Sequence, residues 1–177
     1  GLNIRGLSFF LMIKNILFLL LFFPLWSVAA SASGTWQKKW CVESESDQYS
    51  VTSLGGDTLE ILAPKGLTLW YRQMLKGDMT AEYDACVMDE GRDGDRLSDM
   101  NFFWMASDPQ AKDIWTRMAS RKGVFANCSQ LQLYYLGYGG NYNTTTRFRR
   151  YHGEPKPPIV KEYTDADHLL KPNHWYH

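Results

Sequence analysis

The sequence predicts an all-β domain of the sandwich or jelly-roll class. Three observations carry that expectation. Apolar residues recur with period two in short runs, turn signals rich in Gly, Pro, Asn and Asp separate the runs, and one stretch alone has helical spacing. The chain has 177 residues, a length that fits one domain. Hydrophobic residues make up 45% of it and aromatic residues 15%, a composition that can fill a core and leave rings at the surface. Nineteen Lys and Arg balance 19 Asp and Glu. With no basic excess to neutralise phosphates, nucleic acid is excluded as a general partner.

The N-terminal part reads as a targeting segment. Lys14, an apolar run over 16–26 and Ala30-Ser31-Ala32 have the order of a signal peptide's charged, hydrophobic and cleavage regions. The run is shorter than the about 20 residues a spanning helix needs. Residues 1–32 are therefore expected to be upstream sequence plus signal peptide, with Met12 at the start of the signal. Residues 33–177 are expected to form the domain. The expected location is the periplasm, the cell surface or the extracellular space, with no transmembrane anchor after processing.

Along the rest of the chain, residues 36–43 form the first expected strand. Thr58-Leu59-Glu60-Ile61-Leu62 alternates after a Gly55-Gly56-Asp57 turn, and Pro64-Lys65-Gly66 reads as the next turn. Strands are expected over 67–75, 79–88 and 101–106. Residues 109–120 place Ile114, Trp115, Met118 and Ala119 at helical offsets. Residues 131–138 and 144–151 return to strand, 153–158 form a Pro-rich loop, and 165–170 form a helical turn. Pro172 to Tyr176 reads as the entry to a strand whose continuation, with further closing strands, is expected beyond His177.

The cysteines are Cys41, Cys86 and Cys128. No Cys-x-x-Cys is present, which excludes zinc-ribbon and thioredoxin chemistry. Cys86 is expected to be a small buried hydrophobe rather than half of a bridge. No His-Glu-x-x-His, nucleophile elbow, phosphate loop or dinucleotide fingerprint occurs.

The chemistry is expected in the segment 134–152, where a Gly-rich turn joins two strands dense in Tyr, Asn, Thr and Arg. Alternation puts Thr145, Arg147, Arg149 and Tyr151 on one face and Thr146, Phe148, Arg150 and His152 on the other. Arginine grips a sugar carboxylate with two parallel hydrogen bonds, and tyrosine or tryptophan stacks on the apolar face of a pyranose. The expected partner is thus an acidic polysaccharide or oligosaccharide. Arg147, Arg149 and Arg150 are the candidate binding cations, and Asn101, Trp104, Tyr138 and Asn143 complete the candidate set. Which face meets the ligand stays open, because Gly139-Gly140 can hide a bulge.

For a β-eliminating lyase, Tyr151 and His152 are the candidate proton movers, beside an Arg that neutralises the uronate. A retaining glucanase would need two close carboxylates, for which Glu82 and Asp84 are the candidates. The carboxylates of 89–99 make calcium the one candidate cofactor. Leu97 and Ser98 break the EF-hand spacing and Arg92 and Arg96 compete for the carboxylates, so a salt-bridged loop is the stronger expectation and no metal site is assigned.

Several segments resemble a secreted bacterial domain-of-unknown-function family from polysaccharide degraders. They are Gly66-Leu-Thr-Leu-Trp-Tyr-Arg72, Ala81-Glu-Tyr-Asp84, Ser98-Asp-Met-Asn-Phe-Phe-Trp-Met-Ala106, the run from Gly137 to Tyr151, and Leu170-Lys-Pro-Asn-His-Trp-Tyr176. The resemblance implies a concanavalin A-like jelly-roll β-sandwich of the glucanase and lectin type, truncated here at its C-terminus. It implies a setting of polysaccharide use and supplies no catalytic residues. A non-catalytic lectin-like or envelope module is the alternative to a glycan-cleaving one.

Overall fold

The computed structural model describes residues 2–12 and 36–177, apart from 93 and 94. Ten strands dominate it: β1 (Leu2–Met12), β2 (Trp40–Ser44), β3 (Ser50–Gly55), β4 (Thr58–Tyr71), β5 (Asp84–Met88), β6 (Met100–Ser107), β7 (Gln132–Gly139), β8 (Thr145–His152), β9 (Ile159–Tyr163) and β10 (Trp175–Tyr176). Every strand pair is antiparallel. With only short helical turns between the strands, the content is that of an all-β sandwich. The main strand order is β10-β5-β1-β6-β7-β8-β9, with β4 pairing β1, β2 and β3 beside it.

The sheet carries apolar residues on both faces. Leu67 and Leu69 of β4 join Leu59, Ile61, Ala85, Val87 and Met100 in one core. Trp70, the next residue after Leu69, points the other way and joins Phe103, Leu131, Leu133, Tyr135 and Tyr151 in a second. Strand alternation produces this split, since successive side chains leave opposite faces. Residues 108–131 roof the second core with Ile114, Trp115, Phe125 and Cys128. That roof is pinned from below. Glu43, buried on β2, accepts hydrogen bonds from Trp70 Nε1 at 2.8 Å, Arg121 Nη2 at 3.0 Å and the Gly123 amide at 3.3 Å.

The structure departs from several of the expected elements. Leu2–Met12, expected upstream of the domain, pairs with β4, β5 and β6. The signal-like residues 13–32 lie outside the described residues. The turn expected at Pro64-Lys65-Gly66 is instead the middle of β4. On that edge β3 pairs residues up to Leu62 and β2 pairs from Leu67. Pro64 falls between the two partners, where its missing N–H costs no ladder bond. The helix expected over 109–120 shrinks to Met118–Arg121. Asp113 Oδ1 takes the amides of Trp115 and Thr116 at 3.0 and 2.8 Å, a local turn that competes with helix. Finally, residues 36–39 are a helical turn rather than strand, and the strands expected over 67–75 and 79–88 are cut to end at Tyr71 and to begin at Asp84.

The three cysteines are free thiols, and Cys86 is buried on β5. In the carboxylate loop, Asp95 accepts the amides of Glu90 and Arg92 at 2.8 and 3.0 Å and faces the Arg92 guanidinium at 3.6 Å. Asp99 takes Arg96 at 2.6 Å.

Candidate functional site

The register of β6, β7 and β8 builds a pocket on the face of the second core. Asn101, Gly137 and Arg147 lie directly across from one another, as do Phe103, Tyr135 and Arg149, and Leu133 faces Tyr151. Directly paired residues share a face. Arg147, Arg149 and Tyr151 therefore stand side by side along β8. With Tyr135, Gly137, Phe125, Asp99, Gly140, Asn141, Thr145, Lys156 and Pro157 they line a pocket of about 490 Å³. That volume is within the range of about 300–1,000 Å³ usual for small-ligand sites.

Gly137 sets the shape of the floor. A Cβ there would lie 2.3 Å from the Tyr135 hydroxyl and 2.7 Å from its ring. The Tyr135 phenol therefore lies along the sheet over the space a side chain would fill, between the two arginine rows. Its ring packs against Phe125 at 5.2 Å and Tyr151 at 5.7 Å, which fixes it from two sides.

The cations are not equivalent. Arg147 is ion-paired to Glu162 on β9. Arg96 neutralises Asp99 at the opposite wall. Arg149 donates to the Pro157 carbonyl at 2.6 Å and, among the described residues, has no carboxylate partner. Lys156 likewise stands at the wall without one. The pocket thus presents net positive charge carried by Arg149 and Lys156. Burial pushes the Tyr151 hydroxyl up to about 12, against the smaller opposing effect of Arg149, so the phenol keeps its proton and donates at neutral pH.

A family model described as a domain of unknown function, DUF6250, matches residues 61–177, more than half of the chain. The chain belongs to this family. All pocket residues lie inside the matched span. No curated protein and no solved structure shows a significant match to it.

Within this DUF6250 chain, the expected site residues divide in two. Arg147, Arg149 and Tyr151 come together in the pocket. Asn101 shares their face but is buried beside it. The others lie elsewhere. Arg150 and His152 point from the opposite face, Arg150 over the Tyr134 ring at 5.7 Å and His152 exposed. The proton-moving pair Tyr151–His152 is thus split across the sheet. Trp104 is the centre of a cross-strand row on that opposite face, stacked at 5.6 Å on Phe102, 5.7 Å on Tyr134 and 6.0 Å on Phe148. Half-buried in this row, Trp104 lies outside the pocket. Tyr138 packs on Tyr176 at 5.3 Å. Asn143 clamps Leu170, accepting its amide at 2.8 Å and donating to its carbonyl at 2.9 Å. Glu82 and Asp84 do not line the pocket, and Asp84 instead meets His177 Nδ1 at 2.8 Å.

Tyr135, Asp99, Asn141, Lys156 and Pro157 belong to the pocket without having been expected there. For Tyr135 a signal exists in the sequence: it sits two residues before Gly137, on the strand that pairs with the arginines. The others reach the pocket through loops, whose paths period-two reasoning does not trace.

Proposed function

We propose that this protein is a carbohydrate-binding module of the concanavalin A-like jelly-roll type. Its pocket takes a carboxylate-bearing unit of an acidic polysaccharide. The observation that carries the reading is Arg149, a guanidinium without a carboxylate partner among the described residues, on a pocket wall shared with Tyr151. Arg149 and Lys156 supply the countercharge for a uronate. The Tyr151 hydroxyl donates a hydrogen bond, and Asp99 and Asn141 offer polar groups to sugar hydroxyls. The rings of Tyr135 and Phe125 supply apolar surface.

Binding is favoured over cleavage for three reasons. The proton-moving pair is divided between two faces. A phenol held at about 12 is a poor base at neutral pH. Asp99 is the one carboxylate among the lining residues, whereas a glycoside hydrolase of the usual two-acid kind needs two.

The test combines two variants and two readouts on uronate oligomers. Arg149→Ala is expected to weaken binding by about ten-fold or more, the scale of a charge-assisted hydrogen bond of ~1.5–3 kcal/mol. Arg150→Ala, changed on the opposite face, is expected to bind as the parent does. Neutral oligomers should not distinguish the three proteins. The ultraviolet absorbance of unsaturated uronate should stay flat during incubation, and a rise would establish elimination instead. Equal, negligible losses for both variants would remove β8 from the site.

A further inference from the structure

Beside the pocket mouth the backbone makes an unusual turn. Asn141, Tyr142 and Asn143 have φ of 53°, 58° and 57°, three left-handed residues in succession. Asparagine tolerates that region, but a bulky aromatic there is strained. The surroundings hold the strain in place. Asn143 is bonded at both ends to Leu170. Thr144 Oγ1 donates to the Asn141 carbonyl at 2.7 Å. The result is a tyrosine lifted into solvent, 74% exposed.

Tyr142 is exposed but not loose. The Arg96 guanidinium carbon lies 5.2 Å from the ring centroid, covering one face. Arg96 is itself fixed by its 2.6 Å bond to Asp99, which lines the pocket. Asn141, next in sequence to Tyr142, lines the pocket too. One ring face is therefore backed by a fixed cation, while the ring as a whole remains mostly open to water. A ring held in one orientation at no gain in burial is preorganised to receive a flat apolar surface.

We propose that Tyr142 is the platform of a second sugar subsite, contiguous with the pocket, so that the protein grips a chain rather than a single terminal sugar. This rests on the reading of the pocket as a uronate site and extends it. The charged unit is held at Arg149, and the pyranose of the adjoining unit stacks on the open face of Tyr142. The ligand class is then an oligomer or polymer of at least two units.

The test uses galacturonate and its tetramer as probes against the full chain, with binding followed by NMR titration. Tyr142→Ala is expected to leave galacturonate binding unchanged and to weaken the tetramer by about ten-fold, the scale of one aromatic contact. Tyr142→Trp should retain tetramer binding. Thermal melts accompany each variant, and Tyr142→Asn, which suits the left-handed turn, should melt no lower than the parent while losing tetramer affinity as the alanine variant does. Unchanged tetramer binding by Tyr142→Ala overturns the platform. Parallel loss of monomer and tetramer also overturns it, because the ring would then serve the pocket itself. If the parent binds neither probe, the pocket reading fails and takes the platform with it. Parent binding that Arg149→Ala abolishes and Tyr142→Ala spares rejects the platform alone.

Discussion

A methyl group on Gly137 would meet the Tyr135 ring at less than 3 Å, and the ring cannot retreat, since Phe125 and Tyr151 flank it. Gly137 has an ordinary strand φ, so alanine there meets no backbone penalty and probes the contact alone. Gly137→Ala is expected to cost about 1–3 kcal/mol, the usual range for overpacking, and to weaken uronate binding by tilting Tyr135 into the pocket. Chemical denaturation and titration of the same variant check both effects, and parental values in both would mean that the ring is not wedged. At this scale the site was partly legible in the sequence. Period two was enough to place Arg147, Arg149 and Tyr151 on one face and to separate them from Arg150 and His152. It could not choose between the two faces, because that choice depends on which side the 108–131 roof covers. Nor could it see Tyr138 and Asn143 turned away to Tyr176 and Leu170, contacts made between segments far apart in the chain.

Among the elements, the roof over the second core hangs on one carboxylate. Glu43 and Arg121 are both buried, at 5% and 2% exposure, and Glu43 also holds the Trp70 indole and the Gly123 amide. Gly123, at φ 66°, lies so near β2 that a Cβ would reach the Ser44 carbonyl carbon at 2.1 Å. Glu43→Gln leaves the Arg121 charge buried without its counterion, and breaking such a pair costs about 3–5 kcal/mol. The expected outcome is a large drop in denaturation midpoint and a pocket weakened through Phe125. The double change Glu43→Gln with Arg121→Met should recover part of the stability, since no charge is then left buried and the amide oxygen still accepts from the Trp70 indole. A single variant as stable as the parent would refute the anchoring role. Elements were legible where burial alternated: β6, β7 and β8 stand within about a residue of their expected ranges. Strand β9 was not, because four of its five residues are exposed and Lys161 and Glu162 disguise it as loop. The Asp113 turn hid the true course of 109–120 in the same way, since a side chain outcompeted the helix its apolar spacing suggested.

For the whole molecule, β1 joins what would otherwise be separate parts. One of its edges runs along β4 from Leu2↔Leu69 to Met12↔Thr58, and the other serves β6 at Leu2–Ile4 and β5 at Ser8–Met12. Among the described residues, β5 has no further strand partner except the two-residue β10. Removing Leu2–Met12 is expected to cut β5 and β10 away from the sheet and to expose open edges on β4, β5 and β6, which invite association. Residues 36–177 produced alone should run as aggregates in size-exclusion chromatography and lose the cooperative melt of the full chain. A monomeric, cooperatively melting fragment would show that β1 is dispensable. The same pairing sets an order in time. Leu2 meets Phe102, about a hundred residues later in the chain, so β1 has to wait for β6 before that part of its ladder can close. Contacts of such long range form slowly. During that wait the Leu2–Ile4 stretch of β1 keeps one edge unpaired, which makes the interval between synthesis of β1 and of β6 a period when this chain needs protection from its neighbours.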